Sequence, residues 1–237
     1  LNEQGTGKTG SVIWAADYLM NKGRIKRVLV ICPLSIMDSA WRSDLFNFAM
    51  HRTVDIAHGS REKRVKTINS GAEFVIINFD GVEIIEEEIR NGNFDLVVVD
   101  EANAYKNPQT SRWKVLNRIL RHDSWLWMLT GTPAAQSPVD AYGLAKLVSP
   151  QNVPKFAGTF KEMVMYKSGP FRWIPRPHAD KIVHGALQPA IRFTKEECLD
   201  LPEMTYVTRD VELTPQQKKY YDMLKQQLVV QTAGEQR

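Results

Sequence analysis

The stretch FDLVVVDE, residues 94–101, decides the fold of this chain. Leu96 to Val99 is an unbroken apolar run rich in β-branched residues, a pattern typical of a strand buried on both faces of a parallel sheet. Asp100 and Glu101 follow at the carboxyl end of that strand. Because open parallel sheets bind their ligands at this end, the stretch predicts an α/β fold with an acidic site at the sheet edge.

Strands and helices alternate on both sides of this stretch. Short apolar runs predict further strands at residues 27–32, 54–57, 74–78 and 125–129. Apolar positions at helical spacing predict helices at residues 11–20, 35–50, 82–90, 110–120 and 139–148. The alternation implies parallel βαβ units with right-handed crossovers, and hence one parallel sheet with helices on both faces.

The pattern changes after Pro150. Residues 169–177 carry three prolines and predict an ordered but irregular excursion. Residues 205–213 alternate as a strand does, and Thr214-Pro215 has the residue types of an N-cap and a first helical position. Earlier in the chain, Ser60 caps a predicted helix that carries a basic run, residues 61–66. We interpret this run as a solvated face, with a DNA contact as the alternative.

The composition bounds the class of protein. The chain has 237 residues, 43% of them hydrophobic, enough for one large domain or a domain with an appendage. Its formal net charge of +4 mildly favours a polyanionic partner. Cys32 and Cys198 stand far apart in sequence, so no disulfide framework is indicated. Cys32 ends an apolar run, a position that predicts a buried thiol. The sequence has no apolar run that could span a bilayer, no signal peptide and no metal-ligand spacing, so we expect an intracellular protein without a membrane partner.

A glycine-rich loop, GTGKT, ends at Thr9 and leads into the first predicted helix. Gly5 and Gly7 let backbone N–H groups turn toward a phosphate chain, and the helix adds the positive end of its dipole. Lys8 would neutralise the β and γ phosphates of a nucleotide, and the Thr9 hydroxyl would bind Mg²⁺. Asn2 stands where the common pattern G-x-x-x-x-G-K-[ST] has its first glycine, so the loop alone fits a plain helix-opening turn equally well.

The acid pair supplies what a nucleotide-hydrolysing site needs besides the loop. Asp100 would hold Mg²⁺ largely through water, because Mg²⁺ keeps much of its hydration and needs only one or two carboxylates. Glu101 would orient and deprotonate an attacking water. Thr130-Gly131-Thr132-Pro133 ends the next strand, and its hydroxyls would bond the Asp100 loop or a water at the γ-phosphate. Each motif alone fits an ordinary strand-exit turn, but three of them in this order on one sheet edge favour the nucleotide site.

Together these motifs resemble those of superfamily II helicases and translocases, and within them the Swi/Snf-related branch with its shorter bacterial and phage members. The resemblance rests on the segments NEQGTGKT, VLVICPLSIMDSAW, FVIINFDGV, DLVVVDEANAYKNPQTSRWKVL and WLWMLTGTPAAQSPVDAYGLAKLVSP. Two features favour that branch over RNA helicases. DEANAYKNPQTSR is similar to its D-E-A-H-x-x-K-N motif, and IRFTKEECLDLPEMTYVTRDVELTPQQKKYYDML is similar to its R-x-T-K…L-P…L-T-x-x-Q-x-x-Y segment.

The resemblance implies the N-terminal, ATP-binding lobe of an ATP-dependent DNA translocase or helicase that moves on duplex DNA. It implies a RecA-like lobe at residues 1–150 with a truncated first strand, and a helical or irregular extension at residues 151–200. Residues 201–237 would be the connector to a second RecA-like lobe of the same parent chain. ATP and Mg²⁺ are the implied cofactors and DNA is the implied partner, in a bacterial or phage-infected cytoplasm or nucleoid.

The resemblance also assigns functional residues by their match to the family motifs. The catalytic and nucleotide-binding positions are Gly5, Thr6, Gly7, Lys8, Thr9, Asp100 and Glu101, with Thr9 and Asp100 also at the metal. The coupling positions are Asn103, Thr130 and Thr132, and the candidates for the DNA track are Pro33, Ser35, Asn78 and Asp80. Asn103 stands where the family usually has histidine, and because asparagine cannot be protonated, we expect adjusted coupling rather than lost hydrolysis.

Two other functions stay open at this level. One is a non-catalytic platform for nucleic acid or a protein partner, against which the intact Lys8, Asp100 and Glu101 argue. The other is a different superfamily II motor, an RNA helicase or a restriction-type translocase, against which the segment with Thr194-Lys195 and Leu201-Pro202 argues. Because the family's second lobe supplies the arginines that stabilise the transferring phosphate, we expect the 237 residues alone to hydrolyse ATP very slowly.

Overall fold

The computed structural model describes residues 1, 3, 5–134, 136–198, 200 and 207–234. The chain divides into two compact units, Leu1–Leu199 and Asp200–Arg237. No helix in the described part of the chain combines the length and apolarity needed to cross a membrane.

A parallel sheet of five strands organises the first unit, in the order β2-β3-β1-β4-β5. The strands are β1 (Val28–Cys32), β2 (Val54–Ala57), β3 (Phe74–Asn78), β4 (Leu96–Val99) and β5 (Trp125–Met128). Every residue of β1, β3 and β4 is buried, as their unbroken apolar sequences predict, whereas β5 at the sheet edge is partly exposed. The predicted α/β fold with a parallel sheet is confirmed.

Helices cover both faces of this sheet. They are α1 (Lys8–Asn21), α2 (Ser43–Phe48), α3 (Arg61–Ile68), α4 (Phe79–Ile84), α5 (Glu86–Asn91), α6 (Ser111–Ile119) and α7 (Ala141–Val148). Alternate strand residues point to opposite faces. Leu29 and Ile31 of β1 join the hydrophobic cluster built with α3–α7, whereas Val28, Val30 and Cys32 join the cluster built with α1 and α2.

The predicted helix at residues 35–50 is interrupted. A 3₁₀ turn (Leu34–Ile36) leads into a π-helical turn (Met37–Arg42), and only then does α2 begin. A π turn widens the helix by one residue and changes the direction of its side chains, and such turns occur frequently at functional sites. Here it carries the fully buried side chain of Trp41 toward the sheet.

An extension follows α7 and has a small core of its own. It consists of α8 (Ala157–Val164), an antiparallel hairpin of β6 (Met165–Lys167) and β7 (Trp173–Pro175), α9 (Ala179–Ala186) and the short α10 (Lys195–Cys198). Phe160 and Val164 of α8 are fully buried in this core. The prediction of an irregular excursion at residues 169–177 was therefore wrong at β7. A proline is tolerated in an edge strand, and Pro175 ends such a strand, opposite Met165 in the two-stranded sheet.

The second unit contains one long helix, α11 (Pro215–Gly234). The side chains of Thr214 and Gln217 each accept a hydrogen bond from the other's backbone N–H, at 3.3 and 3.0 Å, so the predicted cap at Thr214 is confirmed. Part of the strand predicted at residues 205–213 lies outside the described residues. Residues 207–213 are exposed and form no strand, because among the described residues no neighbouring strand pairs with them.

Candidate functional site

The parallel register gathers the predicted site residues at one edge of the sheet. Cys32 at the end of β1 lies beside Asn78 at the end of β3. Ile31 lies beside Val99, and Val99 lies beside Met128. The residues that follow these strands, among them Pro33, Asp100 and Thr130, therefore leave the sheet at the same edge.

The glycine-rich loop has a backbone that its glycines make possible. Gly5 and Gly7 adopt φ angles of 81° and 73°, in the left-handed region that other residues rarely enter. Gly7 is the N-cap of α1 and has no side chain to cap the first amides of the helix. The side chains of Thr6 and Lys8 both donate to the carbonyl oxygen of Glu3, at 2.7 and 3.0 Å, which folds the loop back over the start of α1.

A distant segment supports this loop. The backbone N–H of Glu3 donates to the carbonyl of Phe193 at 3.1 Å, and its carboxylate accepts from the N–H of Lys195 at 3.2 Å. The side chains of Thr194 and Glu197 cap the first turn of α10 reciprocally. The segment that resembles the R-x-T-K motif thus lies directly against the loop, although nearly the whole chain separates them in sequence.

The acid pair is held by buried hydrogen bonds. Asp100 is 7% exposed, and its Oδ2 accepts a hydrogen bond from Trp41 Nε1 at 3.0 Å. Its Oδ1 accepts from the N–H of Glu101 at 2.9 Å. Each carboxylate oxygen has two acceptor sites, so one on each stays available. The pKa of the nearby Cys32 thiol is raised to about 12, first by burial and then by the charge of Asp100, so this thiol stays protonated at neutral pH.

Glu101 is exposed and has a strained backbone. Its φ and ψ of 50° and 52° lie in the left-handed region, which costs a residue with a Cβ on the order of 1 kcal/mol. Three hydrogen bonds hold this conformation: the Glu101 N–H to Asp100, the Ala102 N–H to the Leu129 carbonyl, and the Ala104 N–H to the Glu101 carbonyl. Such strain is concentrated at functional sites, and here it turns the Glu101 side chain away from the line of β4.

The two loops that follow β4 and β5 are joined by a side-chain contact. Asn103 Nδ2 donates to Thr132 Oγ1 at 3.3 Å, and the Thr132 N–H donates to Thr130 Oγ1 at 3.2 Å. Thr130 is buried, at 2% exposure. The three residues predicted to couple the site therefore form one short chain of hydrogen bonds.

A cavity of about 620 Å³ opens beside the glycine-rich loop. Thr6, Lys8 and Ser11 line one side, and Leu129 and Thr130 line another. The remainder is mostly apolar and comes from α1, β5, α7 and residues 187–198. The cavity brings the loop and the first threonine of the threonine motif to one space, whereas Thr9, Asp100 and Glu101 do not line it.

The candidates for the DNA track differ in what their side chains do. Pro33 and Ser35 lie at the exposed start of the 3₁₀ turn. Asn78 is 9% exposed, and its Oδ1 accepts from Arg64 Nη1 at 2.9 Å. The exposed carboxylate of Asp80 accepts from Arg112 Nη2 at 2.9 Å. The track assignment stays a prediction for all four residues, and for Asn78 the side-chain Oδ1 is already bound by Arg64.

The SNF2-related domain family matches residues 1–237. The chain belongs to this family. It is 26% identical over 94% of its length to an uncharacterised ATP-dependent helicase of Mycoplasma genitalium, and covers 21% of that protein. It is 25% identical over 97% of its length to the chromatin-remodelling ATPase INO80 of Cryptococcus neoformans, and covers 14% of that protein. The chain thus spans about a fifth or less of the curated relatives named here.

Solved SWI2/SNF2 structures share the fold of this SNF2-related chain. The Sulfolobus solfataricus SWI2/SNF2 ATPase core in complex with dsDNA matches with a TM-score of 0.65 and 23% identity, over 82% of this chain and 39% of that one. A structure of the same ATPase core domain matches with a TM-score of 0.66, over 85% and 40%. At this identity the likeness concerns the fold.

Within this SNF2-related fold, one residue of the basic run departs from the predicted solvated face. Arg64 is 6% exposed. Its guanidinium donates to the carbonyls of Ala57 and Gly59 at the end of β2 and to Asn78, and burial lowers its pKa from the ordinary value. Arg64 therefore ties α3 to the site edge of the sheet, while the other basic residues of the run, Arg61, Lys63 and Lys66, are exposed.

Two contacts at the site of this SNF2-related chain could not be predicted from the sequence. The sequence pattern places Trp41 only within a predicted helix. A buried tryptophan usually has a hydrogen-bond partner for its indole N–H, which is the one signal available. That rule signals a polar partner but does not say which one. The contact between Glu3 and Phe193 has no local signal, because it joins backbone groups far apart in sequence.

Proposed function

We propose that this chain is the ATP-binding lobe of a motor that couples ATP hydrolysis to movement along duplex DNA. The observation that carries the proposal is the single sheet edge that bears the glycine-rich loop, the acid pair and the threonine motif. The hydrogen bond between Asn103 and Thr132 joins the last two. Membership of the SNF2-related family supports ATP as the nucleotide.

The residues present fit ATP with Mg²⁺. Lys8 and the uncapped amino end of α1 would bind the phosphates, where a positive charge and the helix dipole add. Thr9 and Asp100 would hold Mg²⁺, Asp100 largely through water at its open acceptor sites. When bound, Mg²⁺ would neutralise charge that develops on the transferred phosphoryl group.

Glu101 would act as the base that orients a water and accepts its proton. Burial separates the roles of the two carboxylates. The buried Asp100 is held in place by two donors, which suits a metal ligand. The exposed Glu101 can turn toward a substrate, which suits a base. Asn103, Thr130 and Thr132 would transmit the state of this site to the neighbouring loop. Asparagine in place of histidine would adjust that coupling, because asparagine cannot be protonated.

We further propose that the DNA track runs along the same edge. The turn that begins at Pro33 would present backbone N–H groups to a phosphate, with Ser35, Asn78 and Asp80 beside it. Residues 1–150 would be the ATP-binding lobe, 151–200 its extension and 201–237 the connector to a second RecA-like lobe of the same parent. That lobe would supply arginines to the transferring phosphate. The whole protein would act inside the cell.

The experiment compares ATP turnover by the full-length protein without nucleic acid and with duplex DNA, single-stranded DNA or RNA. We expect duplex DNA to stimulate turnover most. Stimulation by RNA alone would contradict the proposal and indicate an RNA helicase. Absence of ATP turnover with every polymer would also contradict it and indicate the non-catalytic platform. The 237-residue chain alone should turn over well below about 1 s⁻¹ in the same phosphate-release assay.

Trp41→Phe tests the metal role of Asp100. Phenylalanine keeps most of the buried volume but cannot donate to Asp100 Oδ2. Because loss of a hydrogen-bond partner that orients a metal ligand typically costs about 10–100-fold in metal affinity, we expect the Mg²⁺ concentration for half-maximal ATP turnover to rise about tenfold or more.

The matched control is Trp113→Phe, which removes an indole donor to the carbonyl of Gly143 and does not line the cavity. It should lower the free energy of unfolding to a similar extent and leave the Mg²⁺ dependence as in wild type. An unchanged Mg²⁺ dependence in Trp41→Phe would refute the role given to this hydrogen bond.

A further inference from the structure

We propose that the extension carries a second DNA-contacting surface, which we call the hairpin surface, made of Lys155, Lys161, Lys167, Phe171, Arg172 and Arg176. These residues lie in α8, in the β6–β7 hairpin and in the residues that flank them, outside every motif assigned above. The partner of the hairpin surface is the phosphate backbone of a duplex. The inference rests on the proposed function, since it takes duplex DNA as the polymer that the motor engages.

The charge of residues 154–177 is almost entirely positive. Residues 154–177 contain five Lys and Arg residues and one acidic residue, Glu162. Their net charge thus equals the formal +4 of the whole chain, so the remaining residues balance to zero. A local excess of this kind produces the positive field that attracts a polyanion.

These cations are not used in ion pairs. Within the described residues, none of the five lies within 4.0 Å of a carboxylate. On the sheet, by contrast, Arg52, Arg112 and Arg118 each bind an acidic partner. Arg176 donates through Nε to the carbonyls of Glu162 and Met165, which fixes its guanidinium at the base of the hairpin without neutralising it.

Exposed aromatic rings stand between these charges. Phe171 at the hairpin tip is 99% exposed, and Phe156 and Tyr166 are also exposed, at 65% and 41%. One exposed aromatic residue is ordinary, but rings interleaved with unpaired cations are typical of surfaces that bind nucleic acid through phosphates and through stacking. A duplex would cover Phe171 against sugar or base edges while its phosphates meet the neighbouring cations.

The surface has a rigid base. The Ser168 N–H donates to the Arg172 carbonyl at 2.9 Å and closes the turn. Lys161 lies over the ring of Trp173, at 4.1 Å from its centroid, which joins α8 to β7. Below them Phe160 is fully buried. The side chains at the tip are therefore displayed by a packed element and lose little conformational freedom in the backbone on binding.

The extension is in contact with the loops of the candidate site. α8 and α9 pack against the 3₁₀ turn Pro138–Asp140, which follows the threonine motif. Asp140 accepts from Lys106 Nζ at 3.2 Å, and Lys106 belongs to the loop after the acid pair. A displacement of the extension when DNA binds the hairpin surface would therefore be transmitted to both site loops through direct contacts.

The test measures binding of the full-length protein to a fluorescein-labelled duplex by anisotropy, between about 50 and 200 mM salt. For the pair Lys167→Ala with Arg172→Ala, the slope of log affinity against log salt should become shallower by close to two, since each phosphate contact contributes about 0.9. For Phe171→Ala the affinity should fall about fivefold or more with the slope unchanged.

The control removes two exposed cations, Lys22 and Lys26, by alanine substitution at the opposite edge of the sheet. It should leave the slope as in wild type, and all variants should keep the wild-type ATP turnover measured without DNA. A wild-type slope in the hairpin pair, or an equal loss in the control, overturns the hairpin surface. Wild-type protein that binds no duplex at any salt concentration overturns instead the proposed function on which the inference rests.

Discussion

Glu101→Gln should stop ATP hydrolysis by the full-length protein while ATP remains bound. Glutamine has the same shape but cannot accept a proton, and removal of a general base lowers a rate by about 10²–10⁴-fold. None of the three hydrogen bonds that hold the strained turn uses the Glu101 side chain, so the substitution leaves them in place. Phosphate release measures turnover, and a fluorescent ATP analogue measures binding.

The control for this variant is Glu87→Gln on α5, which neutralises another exposed glutamate. It should hydrolyse ATP at the wild-type rate. Loss of ATP binding in Glu101→Gln would show that the residue acts in binding rather than in catalysis, and a wild-type rate would remove Glu101 from the mechanism.

Lys8→Ala should abolish turnover by a different route, through loss of phosphate binding. The variant removes the cation at the first residue of α1, beside the turn that Gly5 and Gly7 form. Loss of one electrostatic stabiliser at the reacting group typically costs about 10²–10³-fold in rate, and here the affinity for ATP should fall as well. Titration with the fluorescent analogue separates this variant from Glu101→Gln, which keeps its affinity.

The matched control is Lys22→Ala, which removes a lysine just after the other end of the same helix. It should bind and hydrolyse ATP as wild type does. Lys8→Ala with a wild-type rate of hydrolysis would contradict the assignment of the glycine-rich loop as the nucleotide site.

Features that depend on local patterns could be predicted from the sequence. The buried runs of β1, β3 and β4 need only neighbouring residues to identify them, and the parallel order follows from their alternation with helices. The cap at Ser60 is likewise local, because Ser60 Oγ accepts from the N–H of Lys63 three residues later. The acid pair could be located for the same reason, since it directly follows such a run.

Features that depend on contacts across the chain could not. The π turn that brings Trp41 to Asp100 replaces a helix whose local pattern is ordinary. Arg64 lies in a run that looks solvated, and only the carbonyls of a neighbouring strand end make its burial favourable. The hairpin could not be predicted because local propensity counts prolines as strand breakers, whereas the structure places Pro175 at the end of an edge strand, opposite Met165.

The most direct measurement of the central claim uses a triplex in which a third strand is bound to a duplex. The full-length protein with ATP should displace the third strand and leave the two duplex strands paired, as movement along duplex DNA requires. Lys8→Ala and Glu101→Gln should leave the third strand in place. Wild-type protein whose ATP turnover is stimulated by duplex DNA but which leaves the third strand bound would contradict the account.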